Sequence, residues 1–314
     1  MSITAGPGRF GAVICAMVTP FDDDGALDVD GAVTLARWLT SHGSDGLVVA
    51  GTTGEGPVLS DDELATLWRA VREAVTVPVV AGTGSADTAH TIACTRLAAD
   101  AGVAGALVVT PYYSRPSQAG LAAHFRAVAG ATELPVLLYD IPVRTGRKIA
   151  HDTMLALARD VPGIVGVKDA AGDVLGSARL LAEAPAGFEL YSGDDAMTLP
   201  LLAVGAVGLV SVAAHWAGDE LSSMIAAFSK GDVDGARLAN AALLESYAFE
   251  STEATPNPLP AKAACRALGL PAGQCRLPMG AAPPELDAAA RRVLAGLGRH
   301  EDAAGGTETG SPIA

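Results

Sequence analysis

The sequence predicts an α/β protein whose chain closes into a single (β/α)8 TIM barrel and then adds a C-terminal three-helix appendage. Eight short apolar runs recur along the chain, and a segment of helical spacing follows each of them. A third observation separates this fold from an open, doubly wound sheet. The first run ends Val18-Thr19-Pro20-Phe21, without the glycine-rich phosphate turn that such sheets usually carry there.

The runs span 12–18, 46–50, 78–82, 106–110, 135–139, 164–168, 188–192 and 207–212. They are rich in Val, Ile and Leu and do not alternate apolar with polar residues, as expected of parallel strands buried on both faces. The first helical segment, 28–41, carries Val29, Ala32, Val33, Leu35, Ala36 and Leu39 at helical spacing. The second, 60–74, opens with Ser60 and places Glu63 three residues later, a capping-box pattern. Further helices are expected over 87–101, 117–131, 152–159, 174–184, 196–203 and 219–228. Beyond the eighth unit, 233–248, 259–268 and 284–297 also have helical spacing. The expected division is a barrel over 1–230, a helical region over 231–298 packed on it, and a disordered tail over 299–314, rich in Gly, Thr and acidic residues.

Half of the 314 residues are apolar, which excludes a disordered chain. No apolar run reaches the roughly 20 residues of a membrane-spanning helix. The first ten residues lack a cationic patch followed by an apolar core, so a cytoplasmic protein without membrane or secretory signals is expected. The net charge of −14 argues against nucleic acid as a partner. Cys15, Cys94, Cys265 and Cys275 are scattered and form no C-x-x-C pair, which reads as buried thiols rather than a zinc or redox site. The six histidines, His42, His90, His124, His151, His215 and His300, show no H-x-x-x-H pair, so no metal is expected.

In such a barrel the active site forms at the C-terminal ends of the strands. The chain has four lysines against seventeen arginines, and Lys168 alone among the lysines follows an apolar strand, Ile164-Val165-Gly166-Val167. A lysine emerging there loses hydration, which favours the neutral amine that attacks a ketone. The plain alternative is an ion pair with Asp169. Tyr139 ends the adjacent strand, where a phenol can shuttle protons or simply be hydrogen-bonded. The turn Gly51-Thr52-Thr53-Gly54 offers hydroxyls and backbone N–H groups that can cradle a carboxylate, or is an ordinary strand-to-helix turn. Arg144 can grip a second carboxylate by a bidentate pair, or is a solvated loop arginine.

With these strand ends in place, the sequence resembles the dihydrodipicolinate synthase / N-acetylneuraminate lyase family of pyruvate-dependent aldolases. The resemblance runs from about residue 11 to 297. It rests on Gly-Thr-Thr-Gly-Glu at 51–55, Thr-Pro-Tyr-Tyr at 110–113, Leu-Tyr-Asp-Ile-Pro at 138–142, Gly-Val-Lys-Asp at 166–169, Ser-Gly-Asp-Asp at 192–195 and Asn-Pro-Leu-Pro-Ala-Lys at 257–262. It implies that Lys168 forms an imine with pyruvate and that Tyr139 moves protons at the reacting carbon. Thr52 and Tyr113 would complete the relay, with Tyr113 reaching in from a neighbouring subunit. Thr53 would hold the pyruvate carboxylate, largely through its backbone N–H, and Arg144 the carboxylate of the second substrate. Gly193 and Val210 would line the pocket through backbone groups. No cofactor is implied, and the common assembly is a homotetramer built as a dimer of dimers.

Arg144 and the Gly-Thr-Thr-Gly-Glu form look like the branch that condenses pyruvate with aspartate 4-semialdehyde. The sialic-acid lyase branch usually has Ser at the position of Thr52 and no arginine at 144, and the keto-deoxy-sugar-acid branch also differs in the Thr-Pro-Tyr-Tyr motif. A ligand-binding homologue without catalysis would be marked by loss of Lys168, Tyr139 or Arg144, and none is lost. The sequence departs from many such synthases at Gly56-Pro57 and His215. At the positions matching the family's lysine feedback cleft it reads Gly56, Asp61, Leu64, Ala86 and His90, with His90 in place of a glutamate. The resemblance therefore implies weak or absent inhibition by lysine.

Overall fold

The structure, a computed structural model, describes residues 8–299. Eight strands, β1 (Val13–Ala16), β2 (Gly46–Val49), β3 (Val79–Gly82), β4 (Gly105–Val109), β5 (Val136–Asp140), β6 (Ile164–Asp169), β7 (Glu189–Ser192) and β8 (Gly208–Ser211), close into a barrel in chain order. Every pairing is parallel, and β8 returns to β1 with Val13 opposite Leu209. Strand burial is nearly complete on both faces, as the unbroken apolar runs required.

Outside the strands lie α1 (Val29–Ser41), α2 (Asp61–Ala74), α3 (Thr88–Asp100), α4 (Gln118–Ala129), α5 (Pro142–Thr145), α6 (His151–Asp160), α7 (Val174–Glu183), α8 (Thr198–Ala203) and α9 (Ala214–Ser229). Asp and Ser side chains cap many of them. Asp28 accepts from Gly31 N, Asp87 from His90 N, and Ser117 from Gly120 N. The capping box at Ser60 forms as expected: Ser60 Oγ accepts from Glu63 N at 3.2 Å, and Glu63 Oε2 accepts from Ser60 N at 2.9 Å.

Two apolar layers fill the space between barrel and helices. One includes Leu35, Leu67, Trp68 and Trp216; the other is centred on Leu121, Phe125, Leu157 and Leu190. The barrel interior is a separate cluster containing Phe10, Ile14, Val48, Val80, Leu107, Leu137, Tyr139, Tyr191 and Val210.

The helical boundaries differ from the sequence reading in three places. α9 begins at Ala214 rather than near 219 and is kinked at Ala217. The segment expected as one helix over 233–248 is divided at Leu243 into α10 (Val233–Ala242) and α11 (Leu244–Phe249). The short α5 follows β5, where no helix is read from so few residues. α12 (Leu259–Ala267) and α13 (Pro284–Gly296) follow as expected and pack on each other. The tail expected to be disordered lies outside the described residues, apart from Arg299, which pairs with Glu220. Among the described residues no helix is long and apolar enough to cross a membrane.

Candidate active site at the strand ends

Lys168 and Tyr139 stand opposite each other in the register of β5 and β6. The Lys168 ammonium sits 4.2 Å above the centre of the Tyr139 ring, and the lysine is only 5% exposed. One irregularity explains how it comes to face inward. Val136 pairs with Ile164, but the next residue, Leu137, pairs with Gly166, so Val165 is an extra residue in β6. Val165 packs against the barrel interior and Val167 against the helical layer. Without the bulge, strict alternation from Val165 would turn Lys168 outward; the extra residue turns it onto Tyr139. Gly166 is needed beside it, because a Cβ there would lie 2.2 Å from the carbonyl oxygen of Glu189 on β7.

The ion pair between Lys168 and Asp169 does not form. Asp169 points the other way, accepting from Ser177 Oγ at 2.5 Å and from Ala171 N at 2.9 Å. Gly193, at the end of β7, gives Lys168 its room: a Cβ there would stand 3.0 Å from both Cγ and Cε of the lysine. Its neighbour Asp195 is fully buried and held above the usual carboxylate range by that burial. It accepts from Ser211 Oγ, and from Val212 N at 2.9 Å, which ties the end of β7 to the end of β8. Val210 on β8 is buried in the same interior cluster as Tyr139.

Thr52, Tyr113, Tyr139 and Arg144 line one cavity of about 600 Å3 above the ends of β2 to β5. Lys168, Thr53, Gly193 and Val210 are not part of its lining, and Lys168 adjoins it through its contact with Tyr139. Thr53 is buried, and its hydroxyl accepts from Asn257 Nδ2 at 2.9 Å. Arg144 stands exposed on α5. Its loop is held by Arg115, whose Nε donates to Gly146 O at 2.8 Å and whose carbonyl accepts from Arg147 at 2.8 Å. Tyr113 is 94% exposed in the single chain. Among the described residues no hydrogen bond joins Thr52, Tyr113 and Tyr139 within one chain. Among the described residues, the four non-glycine residues with positive φ, Ala50, Glu55, Tyr113 and Arg115, all fall in the two loops after β2 and β4. Strain of this kind collects where surrounding structure fixes a functional turn.

The sequence pattern of the Dihydrodipicolinate synthetase family matches residues 9–295. The chain belongs to that family. It is 51% identical over 310 residues to the 4-hydroxy-tetrahydrodipicolinate synthase of Acidothermus cellulolyticus, covering 98% of this chain and 99% of that one. To the protein of the same name from Moorella thermoacetica it is 50% identical over 273 residues, 86% of this chain and 92% of that one. Among solved structures, dihydrodipicolinate synthase from Bacillus anthracis superposes with a TM-score of 0.88 at 40% identity, covering 92% of this chain and 98% of that one. The lysine-bound enzyme from Cyanidioschyzon merolae also reaches 0.88, at 41% identity, covering 93% and 99%.

In this chain the motif Gly-Thr-Thr-Gly-Glu has a support that its sequence does not reveal. Glu55 forms a buried ion pair with Lys262 of α12 at 2.7 Å, and Arg276 N donates to Glu55 Oε2 at 2.9 Å. Burial pulls the Lys262 pKa down while Glu55 opposes the shift. The only signal for this clasp was a lysine inside an apolar helix. The sequence also missed one grouping of metal-capable side chains. Cys94 Sγ lies 3.4 Å from His90 Nε2 and 3.9 Å from Asp61 Oδ1, because α2 and α3 meet there. Burial, and then the Asp61 charge, push the Cys94 thiol up to about 11. The other expectation for cysteine holds: all four are free and buried.

Proposed function

We propose that the chain condenses pyruvate with L-aspartate 4-semialdehyde to 4-hydroxy-tetrahydrodipicolinate, on the route to diaminopimelate and lysine, with Lys168 as the covalent nucleophile. The observation that carries this reading is the inward-facing Lys168, stacked on Tyr139 beside a cavity rimmed by Arg144. The relatives at 50% and 51% identity carry the corresponding name.

In the proposed reaction the Lys168 amine attacks C2 of pyruvate and water leaves, giving an iminium. The iminium withdraws electrons, a methyl proton departs, and the enamine attacks the aldehyde carbon. Tyr139 takes and returns the protons, and a relay with Thr52 and the partner chain's copy of Tyr113 carries them onward. The amino group of the second substrate then displaces Lys168 from C2 and closes the ring. Thr53 backbone N–H holds the pyruvate carboxylate, Arg144 the second carboxylate, and Gly193 and Val210 shape the floor. The iminium is the electron sink, so this chemistry calls for no cofactor.

The reading includes a cytoplasmic homotetramer; the relay through Tyr113 itself needs at least a dimer. The barrel is assigned to 1–230 and the packed helical region to 231–298. It also includes a weak response to lysine, because His90 brings no carboxylate to the feedback position.

Incubation with pyruvate and borohydride should trap one adduct per chain, and added aspartate semialdehyde should be consumed. Lys168→Ala should lose both. An adduct retained in Lys168→Ala would remove the nucleophile assignment. Cleavage of a sugar keto acid, with no product from the semialdehyde, would replace the substrate assignment.

A further inference from the structure

We propose that Asp61, His90 and Cys94 form a binding site for a zinc-class divalent cation, apart from Lys168 and opening on the same cavity. His90 and Cys94 are four residues apart on α3, so one helix face presents both, and Asp61 comes from the first turn of α2. Donors held 2.0–2.3 Å from a tetrahedral ion stand roughly 3.3–3.6 Å from one another. His90 Nε2 and Cys94 Sγ are already 3.4 Å apart. The distances from Asp61 Oδ1 to His90 Nε2 and to Cys94 Sγ are both 3.9 Å. Closing each by a few tenths of an ångström takes a rotamer adjustment of one exposed carboxylate.

The two backbones that carry the donors are fixed. Ser60 and Glu63 lock the turn holding Asp61, Arg276 grips Glu63 at 2.5 Å, and Asp87 caps the turn holding His90. Cys94 is buried at the back of the group, while Asp61 and His90 are half open to solvent.

An exposed His–Asp ion pair alone would be a surface feature of little consequence. Here Cys94 adds a third donor of a different kind, its sulfur 3.4 Å from the same imidazole. One sulfur, one nitrogen and one oxygen suit Zn2+ or Co2+, whereas Mg2+ and Ca2+ prefer shells of oxygen. Three protein donors leave a fourth position for a solvent or ligand atom, and two of the three, His90 and Cys94, line the cavity. Binding converts the Cys94 thiol to the thiolate and releases its proton to solvent.

Co2+ titration of the full chain, with Zn2+ as competitor, tests the site without reference to turnover. One Co2+ per chain should bind, with a thiolate-to-cobalt charge-transfer band and d–d bands of tetrahedral intensity, and Zn2+ should abolish both. Cys94→Ser should lose the charge-transfer band. His90→Gln, on the open side of the group where folding is safe, should weaken binding at least about tenfold. Absence of the bands in the parent chain, the same bands in Cys94→Ser, or undiminished affinity in His90→Gln would each overturn the proposal.

Discussion

Gly193 shows how much of this site depends on what is missing from a residue. A methyl group there would press on Cγ and Cε of Lys168 at 3.0 Å and on Cβ of Ala170 at 2.9 Å. Gly193→Ala should leave the fold intact, as judged by circular dichroism, and lower kcat at least about tenfold by displacing the amine. His215 makes a prediction about pH. It is fully enclosed, its Nε2 accepts from Val18 N at 3.0 Å, and its other nitrogen reaches Val212 O at 2.8 Å. Cys15 Sγ is a further neighbour, at 3.6 Å. Burial lowers the ring's pKa to about 4. Between about pH 6.5 and 4 the unfolded chain binds a proton that the native ring refuses, so the contribution of His215 to native stability falls as pH falls. The loss at pH 4.5 should be about 2–3 kcal/mol relative to pH 7.5. Denaturant unfolding at the two values should show the parent chain changing by this much more, in the destabilising direction, than His215→Asn, with buried Asp140 pulling both chains the other way. Lys168 and Tyr139 were legible in the sequence because lysine is scarce and both residues close apolar strands. The service of Gly193 was not, since a glycine after a strand looks the same whether it turns the chain or makes room for a neighbour.

At the scale of elements, the strands were legible because burial on both faces leaves no polar register in them. The bulge in β6 was not: one extra residue in an apolar run leaves no trace in composition, yet it decides which way Lys168 faces. Gly166→Ala should therefore harm activity through geometry rather than chemistry. The added Cβ would meet the Glu189 carbonyl at 2.2 Å and drive β6 from β7. Borohydride trapping with pyruvate should fall with it, although Lys168 and Tyr139 are unchanged; a variant that traps normally would show that the bulge does not set the amine. α5 escaped sequence reading because its four residues are too few for periodicity. The division of α10 from α11 escaped because Leu243 is as good a helix former as its neighbours.

Across the whole molecule, the C-terminal helices act on the turn after β2, some 200 residues earlier in the chain. Asn257 holds the Thr53 hydroxyl, Lys262 neutralises Glu55, and Arg276 spans Glu55, Glu63 and the carbonyls of Gly25 and Val58. Lys262→Met keeps the stem but strands Glu55 as a buried, uncompensated carboxylate. Breaking such a pair should lower the unfolding free energy by about 3–5 kcal/mol, read as an earlier midpoint in chemical denaturation. An unchanged midpoint would mean that water already reaches the pair. The motif at 257–262 was visible as a resemblance, but its purpose was not, because a contact across so long a separation has no local signature.

That clasp has a consequence for how the protein comes into being. A nascent chain that has left the ribosome with all eight strands already contains Lys168, Tyr139 and Arg144. It still lacks the residues that set the turn beside them. The anchoring of that turn therefore arrives late in translation, and a product truncated before Asn257 carries Lys168 and Tyr139 without the contacts that hold the loop after β2.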